Sequence, residues 1–198
     1  MEWYEPEVNA LESHLRSQPP APGSVAFYGS SSIRRWTTLA EDFPELPIVN
    51  LGFGGSTMQA CAHFFDRLVA PIRPRSVVLY AGDNDIGDGH SPEAVMLSFG
   101  SILAKMRRQL DGTRIVCLAI KPSPARSALG EKILAANRMI AEALAAHPGG
   151  TFVDIHQHML ELNGQPRTSL FDEDGLHLSQ DGYRLWASLL HAKLRSFA

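Results

Sequence analysis

The sequence predicts an α/β fold: a flavodoxin-like three-layer α/β/α sandwich around a five-stranded parallel sheet. Three observations predict it. Short apolar, β-branched segments alternate along the chain with longer helical ones, the pattern of a parallel sheet covered on both faces. Nearly every apolar segment runs into a glycine-rich or polar loop, and such loops gather at the carboxyl edge of an open sheet, where ligands bind. The 198 residues contain no internal repeat, low-complexity segment or linker, so residues 1–198 are expected to form one domain with right-handed crossovers.

The elements follow in order. Pro6–Ser17 reads as a helix with Val8, Leu11 and Leu15 on one face. Arg16–Ser24 is a Pro/Gly break, so residues 1–24 form an N-terminal helix and linker packed on the core. Val25–Tyr28 is the first strand; Gly29 and three serines follow, then a short helix over Ile33–Leu39. Ile48–Asn50 is a second strand, running into Gly52, Gly54 and Gly55 before a helix over Thr57–Val69. Ser76–Gly82 is the clearest strand and ends in the polar loop DNDIGDGH. Ser91-Pro92-Glu93 is a helix start, with an N-cap and Pro at the first helical position, and this helix reaches Leu110. Thr113–Ile120 is the fourth strand, KPSPAR a loop, Leu129–Ala146 a helix and Thr151–Ile155 the fifth strand. The chain from His156 to Leu178 is irregular. Ser179 or Gln180 opens a last helix that buries Tyr183, Trp186, Leu189, Leu190 and Leu194.

The formal net charge of −3 gives no reason to invoke nucleic acid or an anionic membrane. The N-terminus lacks the basic and apolar regions of a signal peptide, and no apolar run is long enough to span a bilayer. The two cysteines, Cys61 and Cys117, lie in apolar sequence without CxxC spacing. Buried free thiols are expected, which suits a cytoplasmic setting.

The serine turn places a hydroxyl at a strand end and a helix start, where backbone N–H groups and the helix dipole favour an anion. Helix capping is the competing use of those serines. A serine nucleophile needs a base, and the base an orienting group. Of the eight histidines, His14, His63 and His191 lie in predicted helices and His147 at a helix end. His177 stands in an irregular loop three residues after Asp174, a spacing that brings the carboxylate to one ring nitrogen and leaves the other free. Asp154 and His156 form the second-ranked pair.

The GFGGST turn is suited to aim a backbone N–H at an anion. Asn84, just past a strand end, has a side-chain amide that can donate to an oxyanion. Asp83 and Asp85 flank it, and solvation of a turn accounts for them better than a glycosidase carboxylate pair. Metal readings fail as well. His156-Gln157-His158 lacks further ligands, and a calcium loop starting at Asp83 would have Gly87 at position five and Ala94 at position twelve. No metal or cofactor is expected.

Four blocks together resemble the SGNH, or GDSL-like, hydrolase superfamily, in appearance similar to its platelet-activating-factor-acetylhydrolase-like branch and to bacterial GDSL-like acylhydrolases. They are Gly29-Ser30-Ser31, Asn50-Leu51-Gly52-Phe53-Gly54-Gly55, Gly82-Asp83-Asn84-Asp85 and Asp174-Gly175-Leu176-His177. The resemblance implies the SGNH hydrolase fold and a serine esterase or acylhydrolase acting on small acyl esters, acetyl esters among them. It implies Ser31 as nucleophile, His177 as base, Asp174 as its orienting partner, and the N–H groups of Ser31 and Gly55 with Asn84 as an oxyanion hole. The family's usual Asp before the nucleophile is Ser30 here. Trp36, Phe53 and Met58 are candidates for lining a small acyl pocket, with core packing as their competing role. Lys121 and Arg126 are candidates for touching a polar or anionic leaving group, against solvated surface charge. The expected partner is a small-molecule ester, and the apolar segments leave room for a homo-oligomer. An acyltransferase using the same acyl-enzyme, and a non-catalytic carbohydrate- or partner-binding module on the same fold, are the alternatives.

Overall fold

The protein is described by a computed structural model covering residues 1–194. Five strands form one parallel sheet: β1 (Val25–Gly29), β2 (Ile48–Gly52), β3 (Ser76–Tyr80), β4 (Arg114–Leu118) and β5 (Gly150–Val153), in the order β2-β1-β3-β4-β5. The expected fold class is observed. Both faces of the sheet are buried, and side chains alternate between them as the two-residue strand period requires. Ala26, Tyr28, Val77, Leu79, Ile115 and Cys117 enter one core with α1 (Glu5–Ser17), α4 (Met58–Leu68), α6 (Pro92–Gln109) and α7 (Gly130–Ala145). Val25, Phe27, Val78, Tyr80, Val116 and Leu118 enter the other, against α2 (Ser31–Arg34), α3 (Leu39–Asp42) and α8 (Gln180–Leu194).

The end of β1 sets the position of the serine turn. Gly29 has a φ of +143°, and a Cβ there would stand 1.9 Å from the carbonyl oxygen of Tyr80. Only glycine lets β1 pass so close to β3. Ser30 N–H donates to Tyr80 O at 3.0 Å, and α2 starts at the next residue. Gly52 has the same role at the end of β2, where a Cβ would meet Arg34 N at 2.2 Å.

Several elements differ from expectation: β2 runs two residues longer, to Gly52, and β3 and β5 end two residues early, at Tyr80 and Val153. The helix expected over Ile33–Leu39 is split into α2 and α3, because Trp36 turns inward between Phe27 and Tyr183. Its indole N–H and the Thr38 hydroxyl both donate to Asp42, local bonds that replace a helical ladder. The loop after β3 contains a helix, α5 (Asp83–Gly87). Finally, β4 ends at Leu118. Beyond it Ile120 bonds the side chain of Asn137 on α7, which accepts from Ile120 N at 2.7 Å and donates to Ile120 O at 3.0 Å. That clamp fixes the start of the KPSPAR loop.

Asn137→Ala leaves both backbone groups of Ile120 buried and unpaired. It is expected to lower unfolding stability by about 2–4 kcal/mol, measured as a reduced urea midpoint at unchanged slope.

Candidate active site

Ser31 is the first residue of α2, at the carboxyl edge of the sheet. At that position a helix has N–H groups without intrahelical acceptors. His177 and Asp174 come from the irregular segment before α8. That loop is tied at both ends: Phe171 pairs with Leu178 in an antiparallel bridge, and Ala125 N–H in the KPSPAR loop donates to Gly175 O at 3.1 Å. Asp174 turns the loop on itself, its Oδ1 accepting from the N–H groups of Leu176 and His177, each at 2.8 Å.

The three side chains form one hydrogen-bonded array. Asp174 Oδ2 lies 2.6 Å from His177 Nδ1, and His177 Nε2 lies 3.2 Å from Ser31 Oγ. The His177 ring bond, with the two backbone bonds behind it, holds the Asp174 carboxyl far below the ordinary carboxylate range. The ionised carboxylate can only accept, so His177 Nδ1 carries the proton and Nε2 accepts from the Ser31 hydroxyl. Of the three adjacent serines, Ser31 alone meets His177. Ser30 Oγ is buried without a hydrogen-bond partner, and Ser32 Oγ lies 3.4 Å from Lys121 Nζ. The pair Asp154 and His156 is used otherwise: Asp154 Oδ1 accepts the backbone N–H of His156, whose buried ring lines a neighbouring pocket with Ser123 and Gln165.

Gly55 and Asn84 open into the same cleft as Ser31 and His177. Gly55 has a φ of +66° and no atom within 4 Å of where a Cβ would stand, so its backbone conformation rather than space calls for glycine. The N–H of neighbouring Gly54 is already engaged by Glu7 Oε2 at 2.7 Å. Asn84 lies on the first turn of α5. Its Nδ2 donates to Ser56 O at 3.1 Å, and its Oδ1 accepts from Arg126 Nη2 at 3.0 Å.

The carboxylates flanking Asn84 overturn the expectation of a solvated turn, for both are buried. Asp83 pairs with Lys121 Nζ at 2.8 Å and Arg126 Nη1 at 3.2 Å. Burial raises its pKa, the two cations lower it, and the balance lies below the ordinary value. Asp85 Oδ2 accepts from Met58 N at 2.7 Å and so caps the start of α4, while burial pushes its pKa up.

The five candidate pocket residues need correction. Trp36, Phe53 and Met58 are fully enclosed in the core and line no part of the cleft. Phe53 follows β2, Met58 opens α4 and Trp36 lies between α2 and α3, and each side chain enters one of the two cores. Lys121 is 1% exposed and neither touches the cleft nor carries solvated charge. Its Nζ bonds Asp83, the Tyr80 hydroxyl at 3.0 Å and the Ser32 hydroxyl. Arg126 stands behind Asn84 rather than in the cleft.

Sequence reasoning missed one wall of the site. A 3-10 turn over Glu2–Tyr4 and the start of α1 line the same cleft as His177. Tyr4 OH donates to Gly55 O at 3.2 Å, and Glu7 pairs with Arg34. Trp3 is 83% exposed at the mouth. The segment is anchored by Val8 in the core and by Arg67 of α4, which binds Glu5, Asn9 and Glu12. No motif marks this wall; the Trp-Tyr pair before a Pro-started helix was its only signal.

Comparison with known proteins agrees with this architecture. A Streptococcus pneumonia protein provisionally described as a platelet activating factor superposes with a TM-score of 0.85 at 24% identity, covering 98% of this chain and 95% of that one. A GDSL-like lipase from Bacteroides thetaiotaomicron gives 0.83 at 18%, with 96% and 98% covered. An acylhydrolase, provisionally so described, from Bacteroides fragilis gives 0.80 at 20%, with 100% and 96% covered. These likenesses show the fold. No curated protein sequence matches the chain. Among the described residues no helix is long and apolar enough to cross a membrane. The pattern of the GDSL-like lipase/acylhydrolase family matches residues 21–185, and the chain belongs to that family.

Proposed function

We propose that the chain is a serine esterase that releases small acyl groups, acetyl among them, from a polar alcohol through an acyl-enzyme. The observation that carries the reading is the array from Asp174 through His177 to Ser31. In the proposed reaction Ser31 Oγ attacks the ester carbonyl carbon while its proton passes to His177 Nε2. The tetrahedral oxyanion is held by the N–H groups of Ser31 and Gly55 and by the Asn84 Nδ2 hydrogen not given to Ser56. The ester C–O bond then breaks as His177 returns the proton to the leaving alcohol. Water attacks the acyl-Ser31 carbonyl, again losing a proton to His177, and the acid leaves as His177 returns that proton to Ser31 Oγ. Asp174 keeps the ring in the required tautomer and stabilises the imidazolium.

One feature supports a polar alcohol. The outer cleft carries Glu7, Arg34, Tyr4 and an open Trp3, a mixed polar and aromatic surface suited to a hydroxyl-rich or otherwise polar leaving group. Two buried free thiols fit a reducing compartment, and a cytoplasmic setting is part of the proposal.

A fluorophosphonate probe is expected to label the wild type at one site, detected by intact mass, and Ser31→Ala is expected to take no label. Labelling that survives in Ser31→Ala would move the nucleophile elsewhere, and an unlabelled wild type would favour a binding module. Adding acceptor alcohols during turnover separates hydrolysis from acyl transfer.

Asn84→Ala is expected to lower kcat by about 10²- to 10³-fold with little change in KM, measured on a short activated ester.

A carboxyl whose pKa is depressed on folding stabilises the folded state above its unfolded value, about 3.9, and loses that contribution as pH falls toward the depressed value. The difference in Tm between wild type and Asp174→Asn is therefore expected to be largest above pH ~5 and to narrow progressively as pH falls below ~4. A difference that is flat with pH would contradict it.

A further inference from the structure

We propose that Arg126 is a positioning residue for the oxyanion site, fixing the Asn84 side-chain amide so that Nδ2, not Oδ1, faces the cleft. The inference rests on the esterase reading above.

An asparagine amide has nearly the same shape after a half-turn about its last bond, but the half-turn exchanges a donor for an acceptor. Pointed the wrong way, Asn84 would present a carbonyl oxygen to a developing oxyanion and repel it. Two contacts select the useful orientation. Nδ2 donates to Ser56 O, and Oδ1 accepts from Arg126 Nη2 at 3.0 Å. The second contact is decisive, because a guanidinium has donors only and can face nothing but Oδ1. It is also charge-assisted, so it draws electron density toward Oδ1 and strengthens the Nδ2 donors.

Arg126 is itself fixed. Its Nη1 lies 3.2 Å from the buried carboxylate of Asp83, one residue before Asn84. Gly87, at the end of α5, is closely covered by the guanidinium; a Cβ there would stand 2.8 Å from the guanidinium carbon and two of its nitrogens. The backbone beneath is held too, with Arg126 N–H donating to Ser123 O at 3.0 Å. The guanidinium lines the neighbouring pocket with Ser123 and His156 rather than the cleft of Ser31. Arg126 therefore acts through Asn84 and not on the substrate.

The test is steady-state kinetics on p-nitrophenyl acetate with wild type, Arg126→Met, Arg126→Lys, Asn84→Ala and the Arg126→Met/Asn84→Ala double variant. Arg126→Met is expected to lose about 10- to 100-fold in kcat with KM within about twofold. Arg126→Lys keeps the charge against Asp83 but loses the fork, and is expected to recover only part of that loss. It carries the comparison should Arg126→Met fail to fold. In the Asn84→Ala background the Arg126 substitution is expected to have almost no further effect, because the residue it orients is gone. A full loss in that background, a change confined to KM, or an unchanged kcat would overturn the inference and leave the esterase reading standing. A wild type that turns over no ester would overturn that reading instead. The inference then still has a readout in the side-chain amide signals of Asn84. These are expected as two resolved, slowly exchanging protons in wild type and as shifted, fast-exchanging ones in Arg126→Met. Unchanged signals would overturn it.

Discussion

The buried pair of Asp83 and Lys121 holds the site together. Its two residues come from the loops after β3 and β4, and Lys121 also reaches Tyr80 on β3 and Ser32 in the first turn of α2. Tyr183 of α8 closes the same group by donating to Ser32 O. One cation thus registers the ends of β3 and β4 and the serine turn. A buried ion pair is a weak source of net stability, because desolvation offsets much of the Coulomb attraction. Breaking it from one side is costly, however, since an unpaired charge remains. Here it works as a register pin: any shift of the loop after β4 against α5 separates charges that have no water to fall back on.

The carboxyl edge of the sheet was legible in the sequence because its determinants are local. Gly29, the glycines after β2 and the polar residues after β3 each stand directly beyond an apolar strand, and parallel strands bring such ends together. Asp174 and His177 were legible for a similar reason, since a three-residue spacing in a glycine-containing loop closes on itself. For Trp36, Phe53 and Met58 the sequence left core packing and the cleft both open, and the structure places them in the core. Lying within a few residues of the motifs suggested the cleft, whereas the direction of each side chain depends on how its segment is rotated against the sheet. Lys121 was misjudged because its partner, Asp83, is far away in sequence. A lone lysine in a loop carries no sign of a distant buried carboxylate. The same distance hid α5, whose two acids read as solvated turn residues until Lys121, Arg126 and the start of α4 are seen to engage them.

The N-terminal segment shows how a wall can be built without a motif. Arg67 gathers Glu5, Asn9 and Glu12 along one side of α1, and Val8 enters the core from the same helix. Surface ion pairs of this kind contribute little singly, but together with Val8 they set the angle at which α1 approaches the sheet. That angle brings Tyr4 onto the carbonyl of Gly55 and Glu7 onto the N–H of Gly54. The glycine turn is therefore held from outside by the N-terminus and from inside by Asp85 capping α4.

The placement of Glu2–Tyr4 at the cleft mouth bears on how the protein is handled. Residues joined ahead of Met1, such as an affinity tag, would emerge beside Trp3 and could screen the entrance. The end of α8 lies elsewhere: Leu194 packs near Phe43 and Pro47, just before β2 begins, at the amino edge of the sheet. The described end of α8 thus stands at the opposite edge of the sheet from the cleft.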